Sequence, residues 1–356
     1  MKPKESIGKM KRILLIAAVA LCALAQAQQQ RTMAGASPGG NSPYATDAYP
    51  GFDDLDEMKS PQRHEPSWLW WRRAKKDTPA EQYAYAKELE AAEDFSAAVR
   101  ACDALVREWP SSVEAPQAQL RMALMLANKQ EDYEEAFEQL EYLFDFYARD
   151  CPYLELVEYG YKLVNTMRDK RKTWFGFSFL SNTQIRRNYE SIVRRAPGAA
   201  YVPEAMLKIA EIREEDLQYE EAVKVYEAIA TKYPLRIETR TAAYREARAR
   251  MWLCRRLAYN MVRCNETRGF LRQTMKRYPD IEQMDELKAW LEELEKYMDE
   301  AAYKNAKSYD SRRRTPHAAL AAWELFLKEH PASPHADEAR ARIAELSAAP
   351  RKETSK

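Results

Sequence analysis

The stretch that decides the fold is Phe95-Ser-Ala-Ala98-Val-Arg-Ala-Cys102-Asp-Ala-Leu-Val-Arg-Glu-Trp-Pro110. It places a small residue at Ala98, a larger one at Cys102 and a proline at Pro110. Residues four apart share one face of a helix, and a proline ends a helix, so the stretch predicts a helix with one close-packing face. The same spacing returns twice, at Ala222, Tyr226 and Pro234 and at Ala319, Trp323 and Pro331.

This recurrence predicts antiparallel pairs of helices. The small residue lets two helices approach closely, and the proline opens the turn to the next pair. One pair cannot bury its apolar face alone, so successive pairs are expected to stack into a solenoid. The expected pairs are 80–93 with 95–109, 113–129 with 131–150, 152–169 with 181–196, 201–216 with 218–233, and 237–260 with 264–278. A long helix over 281–309, a partner over 316–330 and a C-terminal capping helix over 335–347 follow.

Composition supports an all-α fold class. Of 356 residues only 9 are glycine, whereas 18 are proline, and the formal net charge is +1. All-β sandwiches and dinucleotide-binding α/β folds use glycine freely in turns and phosphate loops, so both are disfavoured. Without residues 1–27 the formal charge becomes −3, which gives no indication of nucleic-acid binding.

The first 27 residues have the pattern of a secretory signal peptide. Basic residues precede the apolar run Ile13–Ala25, and Ala25-Gln26-Ala27 offers a small-x-small cleavage site. An uncleaved transmembrane anchor is the alternative, but the run is shorter than the roughly 20 residues that span a bilayer. Lipidation of Cys22 also stays open, although Leu21 stands where a lipoprotein signal peptidase prefers a small residue. The sequence thus predicts an exported protein, with Gln28 as its first mature residue.

The remaining chain divides into three parts. Residues 28–79 lack apolar periodicity and predict a disordered tether, 80–348 form the helical solenoid, and 349–356 form a disordered tail. The tether ends in a tryptophan-rich strap with Trp68, Trp70 and Trp71, which either packs on the solenoid edge or contacts a partner or membrane surface.

The spacing of small residue, aromatic residue and proline resembles that of tetratricopeptide repeats, over about residues 80–347, with five to six repeats. The stretch from Ala306-Lys-Ser-Tyr309 to Phe326-Leu-Lys-Glu-His-Pro331-Ala-Ser-Pro-His-Ala336 is similar to the outer membrane lipoprotein assembly factor family, BamD-like. That resemblance implies a periplasmic scaffold at the inner face of the outer membrane. Its implied partners are a β-barrel assembly subunit or unfolded outer membrane protein segments. A periplasmic adaptor of the envelope or peptidoglycan machinery is the alternative.

Motifs of catalysis and cofactor binding are missing from the sequence. It has no glycine-rich phosphate loop, no His-Glu-x-x-His and no Gly-x-Ser-x-Gly. The nearest candidate for a metal site is His330 with His335, but a third ligand would be needed, and His330 occupies a packing position of the repeat. We therefore expect no catalytic residue, no metal and no cofactor.

Two features indicate partner binding. An apolar insertion between two helices offers Trp174, Phe175, Phe177 and Phe179, either as filling for the solenoid or as a contact for another protein. An arginine-rich stretch over 236–272 includes Arg248, Arg255 and Arg256 and could meet an acidic partner or phospholipid headgroups. The alternative for the arginines is pairing with the acidic helix 281–300 of the same chain.

Four cysteines lie beyond the leader, and their pairing stays open. Cys102 has the position of a small core residue, and Cys151 has no evident partner. In one continuous helix, Cys254 and Cys264 would lie roughly 15 Å apart along the axis. A disulfide between them requires the helix to break between the two residues.

Overall fold

The computed structural model describes residues 49–52, 62–65, 73–171, 181–256, 260–311 and 316–348. These residues form thirteen α-helices and no β-strand. The helices are α1 (Pro79–Ala91), α2 (Phe95–Glu108), α3 (Ala115–Met125), α4 (Tyr133–Phe146), α5 (Tyr153–Arg171), α6 (Asn182–Arg195), α7 (Val202–Glu215), α8 (Tyr219–Lys232), α9 (Glu238–Arg256), α10 (Met261–Arg277), α11 (Met284–Ser311), α12 (Pro316–Glu329) and α13 (Ala336–Ala348). The predicted all-α fold class is confirmed. Within the described part of the chain, no helix combines the length and apolarity needed to cross a membrane.

The chain divides into two units, and the boundary falls at Ile229 within α8. In unit 1 each helix from α1 to α6 packs on the next one along the chain. The second helix of one hairpin therefore packs both on its own partner and on the first helix of the next hairpin. The repeat residues Ala98 and Cys102 of α2 are fully buried, as are Ala222 and Tyr226 of α8.

The turns inside the hairpins have a shared conformation. Glu93, Glu131 and Leu217 each precede the second helix of a hairpin by two residues and adopt left-handed φ values of 62°, 56° and 59°. Glycine usually fills such positions, since an L-residue there costs roughly 1–2 kcal/mol. Asp94 and Asp132 follow two of these residues and accept hydrogen bonds from the first turns of α2 and α4. The caps help hold turns that lack glycine.

Unit 2 contains two apolar clusters that share the long helix α11. The first joins α9 and α10 to the first half of α11, with Met251, Leu271 and Leu294 among its buried residues. The second joins the last half of α11 to α12 and α13 through Tyr303 and Trp323. α11 has 28 residues and is therefore about 42 Å long, enough to serve both clusters.

The helix between Cys254 and Cys264 is broken, because α9 ends at Arg256 and α10 begins at Met261. Both cysteines are fully buried, and their Sγ atoms lie 2.6 Å apart. The break in the helix that a contact between Cys254 and Cys264 requires is therefore present.

Replacing Leu217 by glycine is expected to raise the free energy of unfolding of unit 1 by about 0.5–1 kcal/mol. The left-handed strain is relieved, and this outweighs the roughly 0.5–1 kcal/mol that glycine costs in backbone entropy. Little packing is lost, since Leu217 is 61% exposed. Urea denaturation followed by circular dichroism measures the change.

Leu235 provides the matched control, because it is 98% exposed and its φ is not positive. Leu235→Gly should leave stability unchanged or lower it. Equal shifts in both variants would show that the conformation of Leu217 is not the cause.

Candidate functional site

A buried carboxylate organises the packing of α6 on α7. Glu190 of α6 is 1% exposed, and its Oε1 accepts a 2.6 Å hydrogen bond from Nη1 of Arg186, one helical turn earlier. Nη2 of Arg213, on α7, lies 3.6 Å from the same oxygen. A third guanidinium, that of Arg194, lies 3.9 Å from Oε2. A buried charge is costly unless it is paired, so these cations allow Glu190 to be buried in its ionised form.

Arg213 extends this cluster to a segment far away in sequence. Its side chain is 7% exposed, and its Nη1 donates a 2.6 Å hydrogen bond to Oε1 of Gln218. Its Nη2 donates a 2.8 Å hydrogen bond to the backbone carbonyl oxygen of Gly51. A piece of irregular chain thus satisfies a buried cation of the helical stack.

Residues Tyr49–Phe52 form a tight turn at this point, which we name the docked turn. The backbone N–H of Phe52 donates to the carbonyl oxygen of Tyr49 at 3.1 Å, and the two rings stack with centroids 4.9 Å apart. Tyr49 is 7% exposed, and the guanidinium of Arg194 lies 5.4 Å from the centre of the Phe52 ring. The turn is held by its backbone and by both aromatic side chains.

Gly51 fits the turn because it has no side chain. Its φ is +81°, and an added Cβ would lie 2.6 Å from the carbonyl oxygen of Glu221 and 2.7 Å from Cγ2 of Val225. Both groups belong to α8. Pro50 followed by glycine with positive φ, closed by the hydrogen bond from Phe52, is the pattern of a type II turn. The backbone therefore approaches α8 more closely than any other residue type would allow.

A second piece of the N-terminal region contacts α2 and α4. The ring of His64 stacks on that of Tyr142 with centroids 4.4 Å apart. The backbone N–H of His64 donates a hydrogen bond to the Tyr142 hydroxyl at 3.3 Å. The guanidinium of Arg63 lies 5.0 Å from the centre of the Phe146 ring, and Arg107 donates to the Glu65 carbonyl oxygen at 3.3 Å. Burial lowers the pKa of His64, and the positive charge of Arg107 lowers it further.

Closer to α1, the backbone is held by side chains. The N–H of Ala74 donates to Oε1 of Glu108 at 3.1 Å, and the N–H of Lys75 donates to Oε1 of Gln82 at 3.0 Å. The described pieces of 28–79 thus contact helices of unit 1 in three places. These contacts were not part of the expectation of a disordered tether.

Most of the partner-binding candidates lie outside the described residues. They are Trp68, Trp70 and Trp71 of the strap and Trp174, Phe175, Phe177 and Phe179 of the insertion. Their assignment therefore stays a prediction.

The arginine candidates lie on α9. Arg255 donates to both carboxylate oxygens of Glu293 on α11, at 2.9 and 2.5 Å, and the guanidinium of Arg256 lies 5.0 Å from the Trp252 ring centre. Arg248 is exposed on the same helix. Further along the arginine-rich stretch, Arg272 of α10 pairs with Glu295. Pairing inside the chain, the alternative in the sequence analysis, thus accounts for Arg255 and Arg272.

Two histidines near the end of the chain, His330 and His335, each face a carboxylate of α11. Nδ1 of His330 lies 3.3 Å from Asp299, and Nε2 of His335 lies 3.3 Å from Glu300. The His335 ring also stacks on Tyr303, with centroids 3.8 Å apart. Across the residues that the structure describes, no three His, Cys, Asp or Glu side chains form a group that could hold a metal ion.

Arg213, Glu190 and the docked turn were not among the residues predicted from the sequence. A signal for the turn was present, because Tyr49-Pro50-Gly51-Phe52 contains a proline–glycine pair between two aromatic residues. Nothing in the sequence indicated where the turn would bind, since Gly51 and Arg213 are 162 residues apart.

Comparisons with known proteins find a repeat family whose matched residues include part of this site. Residues 204–235 match the tetratricopeptide repeat family. This range includes Arg213, Glu221 and Val225, which contact the docked turn. The chain is also similar to a tetratricopeptide repeat protein from Parabacteroides merdae, with 11% identity over 76% of this chain and 98% of that one and a TM-score of 0.28. No curated protein matches the chain.

Replacing Gly51 by alanine is expected to detach the docked turn, because the new Cβ would overlap α8 and the positive φ would be strained. Hydrogen exchange measures the outcome. Protection of the peptide that covers residues 49–52 should fall at least roughly tenfold, as expected for a loss of about 1.4 kcal/mol.

Gly198→Ala is the matched control, since an added Cβ there meets no atom within 4 Å. It should leave exchange of residues 49–52 unchanged. Full protection of this peptide in Gly51→Ala would show that the close approach to α8 is not required.

Docking of residues 62–65 should weaken as the pH falls below about 6.5, the ordinary pKa of histidine. The docked state has the lower His64 pKa, so it binds fewer protons than the detached state, and acid favours detachment. The contact is at full strength above pH 6.5. An NMR titration of the His64 ring should give a midpoint below 6.5, and Tyr142→Ala, which removes the stacked ring, should return the midpoint toward 6.5. Equal midpoints in both proteins would contradict burial as the cause.

Proposed function

We propose that this protein is a non-catalytic scaffold that binds segments of other envelope proteins in the periplasm. Its most specific proposed role is in assembly of β-barrel proteins of the outer membrane. The observation that carries the binding function is the docked turn, in which three helices of unit 1 hold an irregular piece of polypeptide.

The contacts of the docked turn are ones that any suitable peptide could make. A buried arginine, Arg213, recognises a backbone carbonyl, and the cation of Arg194 faces an aromatic ring. The helical surface itself accepts a close backbone approach at Gly51. None of these contacts depends on the turn belonging to the same chain.

The tetratricopeptide match supports a scaffold. Repeats of this kind stack into extended surfaces that bind proteins, and residues 204–235 supply one wall of the turn's binding site. The described residues that contact the turn are helix side chains and backbone that bind by hydrogen bonding, packing and charge.

The envelope location and the assembly role are supported by the sequence alone. Residues 1–27 have the pattern of a cleavable leader, and the stretch from Ala306 to Ala336 is similar to the BamD-like family. The unfavourable Leu21 before Cys22 argues for peripheral association with the outer membrane rather than a lipid anchor.

Crosslinking of the full chain in cells, followed by capture from membranes, is expected to recover a β-barrel insertase subunit. The double variant Trp174→Ala, Phe177→Ala should recover at least roughly tenfold less, since aromatic residues carry much of the binding energy at protein interfaces. Leu325→Ala is the control, because Leu325 is 54% exposed on α12 and outside both candidate segments.

Recovery of cell-wall enzymes alone would overturn the assembly role and favour an adaptor of the peptidoglycan machinery. Equal recovery from the double variant and the control would exclude the aromatic insertion as the contact. The mass of the mature N-terminus verifies the location in the same sample: Gln28 indicates a cleaved, lipid-free product, and a lipidated Cys22 indicates an anchor.

A further inference from the structure

Two cysteines meet at the point where α9 folds back on α10. Cys254 lies in the last turn of α9 and Cys264 in the first turn of α10, on opposite sides of the break between Arg256 and Met261. Both are fully buried free thiols, and their sulfur atoms lie 2.6 Å apart. A disulfide bond of roughly 2.0 Å is thus within reach of a small adjustment of either side chain.

The surroundings of the pair are apolar. The same cluster contains Met251, Leu271 and Leu287, all buried, and Tyr244 and Phe270 pack against it. Two thiols gain little from this environment as hydrogen-bonding groups, because the S–H group is a weak donor and sulfur a weak acceptor. A disulfide removes both S–H groups and suits an apolar core.

We propose that Cys254 and Cys264 form a disulfide that closes the α9–α10 hairpin, and that the bond forms while the chain folds. The oxidant is a disulfide donor, either a small molecule such as oxidised glutathione or the active-site disulfide of a thiol oxidoreductase. This proposal does not depend on the function proposed above, although an exported chain would meet such donors.

The chemistry is two successive thiol–disulfide exchanges. The thiolate of one cysteine attacks the donor disulfide, which forms a mixed disulfide and releases one donor thiolate. The second cysteine then attacks the protein sulfur of the mixed disulfide and releases the other donor thiolate. Overall, the two cysteine thiols lose two electrons and two protons, and the donor disulfide is reduced to two thiols.

The timing follows from burial. Desolvation raises the pKa of the Cys254 thiol, and desolvation together with the neighbouring sulfur raises the pKa of Cys264 to about 12. The nearby charges of Arg255 and Glu293 act on Cys254 in opposite directions. Thiolate is therefore scarce in the closed hairpin, and neither a donor nor a reductant can reach the sulfurs. Exchange requires an open hairpin, before folding or during local unfolding.

Among the described residues, two other cysteines could compete, and neither of them contacts a second sulfur within that part of the chain. Cys102 is fully buried in α2, and the sulfur of Cys151 lies 3.7 Å from the carbonyl oxygen of Ala148. The structure thus singles out one pair among the four cysteines of the helical part. Since residues 254–264 form a closed loop of eleven residues, the bond should lower the unfolding equilibrium constant about a hundredfold, by restricting the unfolded chain.

The test uses the full chain, reduced, unfolded and then refolded with reduced and oxidised glutathione. Tryptic digestion without reduction separates the two cysteines, because cleavage sites lie at Arg255, Arg256 and Arg263. We expect the peptides carrying Cys254 and Cys264 to stay joined, 2 Da lighter than the sum of the separate thiol peptides, and to separate on reduction. Complete alkylation of both cysteines after refolding would overturn the proposal.

Two comparisons test the timing and the pairing. Reduced protein that is already folded should form the linked peptide at least roughly tenfold more slowly than protein that is refolding in the same glutathione buffer; equal rates would contradict burial as the barrier. Cys151→Ala should form the link like the wild type, and Cys264→Ala should not. A link in wild type that joins Cys254 to any other cysteine would overturn the assignment.

Discussion

The structure depends on the fact that a helical hairpin of this size cannot cover its own apolar face. Each hairpin of unit 1 leaves a face that the next one buries, which is why α2 is buried against both α1 and α3. At the start of unit 1, the buried Gln82 of α1 has its amide satisfied by the carbonyl oxygen of Ala101 and by backbone N–H groups before the helix. In unit 2, α13 buries mainly Ala336 and Ala339.

The buried ion cluster on α6 and α7 adds a second constraint. Glu190, Arg186 and Arg213 are buried within the helical stack, and buried charges require partners. The Gly51 carbonyl is one of those partners, so packing and docking are coupled at Arg213. A surface built this way recognises a backbone carbonyl, which every polypeptide carries, together with aromatic side chains. That is a useful property for a scaffold that binds varied segments of polypeptide.

The positions of the helices could be predicted from the sequence, because the residues that start and end a helix lie within or beside it. The spacing from Ala98 to Pro110 predicts a helix and its end within thirteen residues, and α2 ends at Glu108. The binding of the docked turn could not be predicted, because it depends on Arg213, which is 162 positions away in the sequence. The same holds for His64, whose partner Tyr142 is 78 positions away. Local composition predicts that such segments lack regular structure, but it says nothing about whether they bind elsewhere on the chain.

The arginine-rich stretch shows how stacking changes a conclusion drawn from composition. Counted along the sequence, its arginines exceed the nearby acids, but α11 brings Glu293 to Arg255 and Glu295 to Arg272. Exposed pairs of this kind contribute at most about 1 kcal/mol each. If a carboxylate of an acidic partner paired with Arg255, Glu293 would lose that ion pair. One exposed ion pair would replace another, so the net gain in binding free energy would be almost zero. Affinity for a partner at this stretch must then come chiefly from burial of apolar surface, and the contacts that the sequence predicts at Trp70 and Phe177 stay candidates for it.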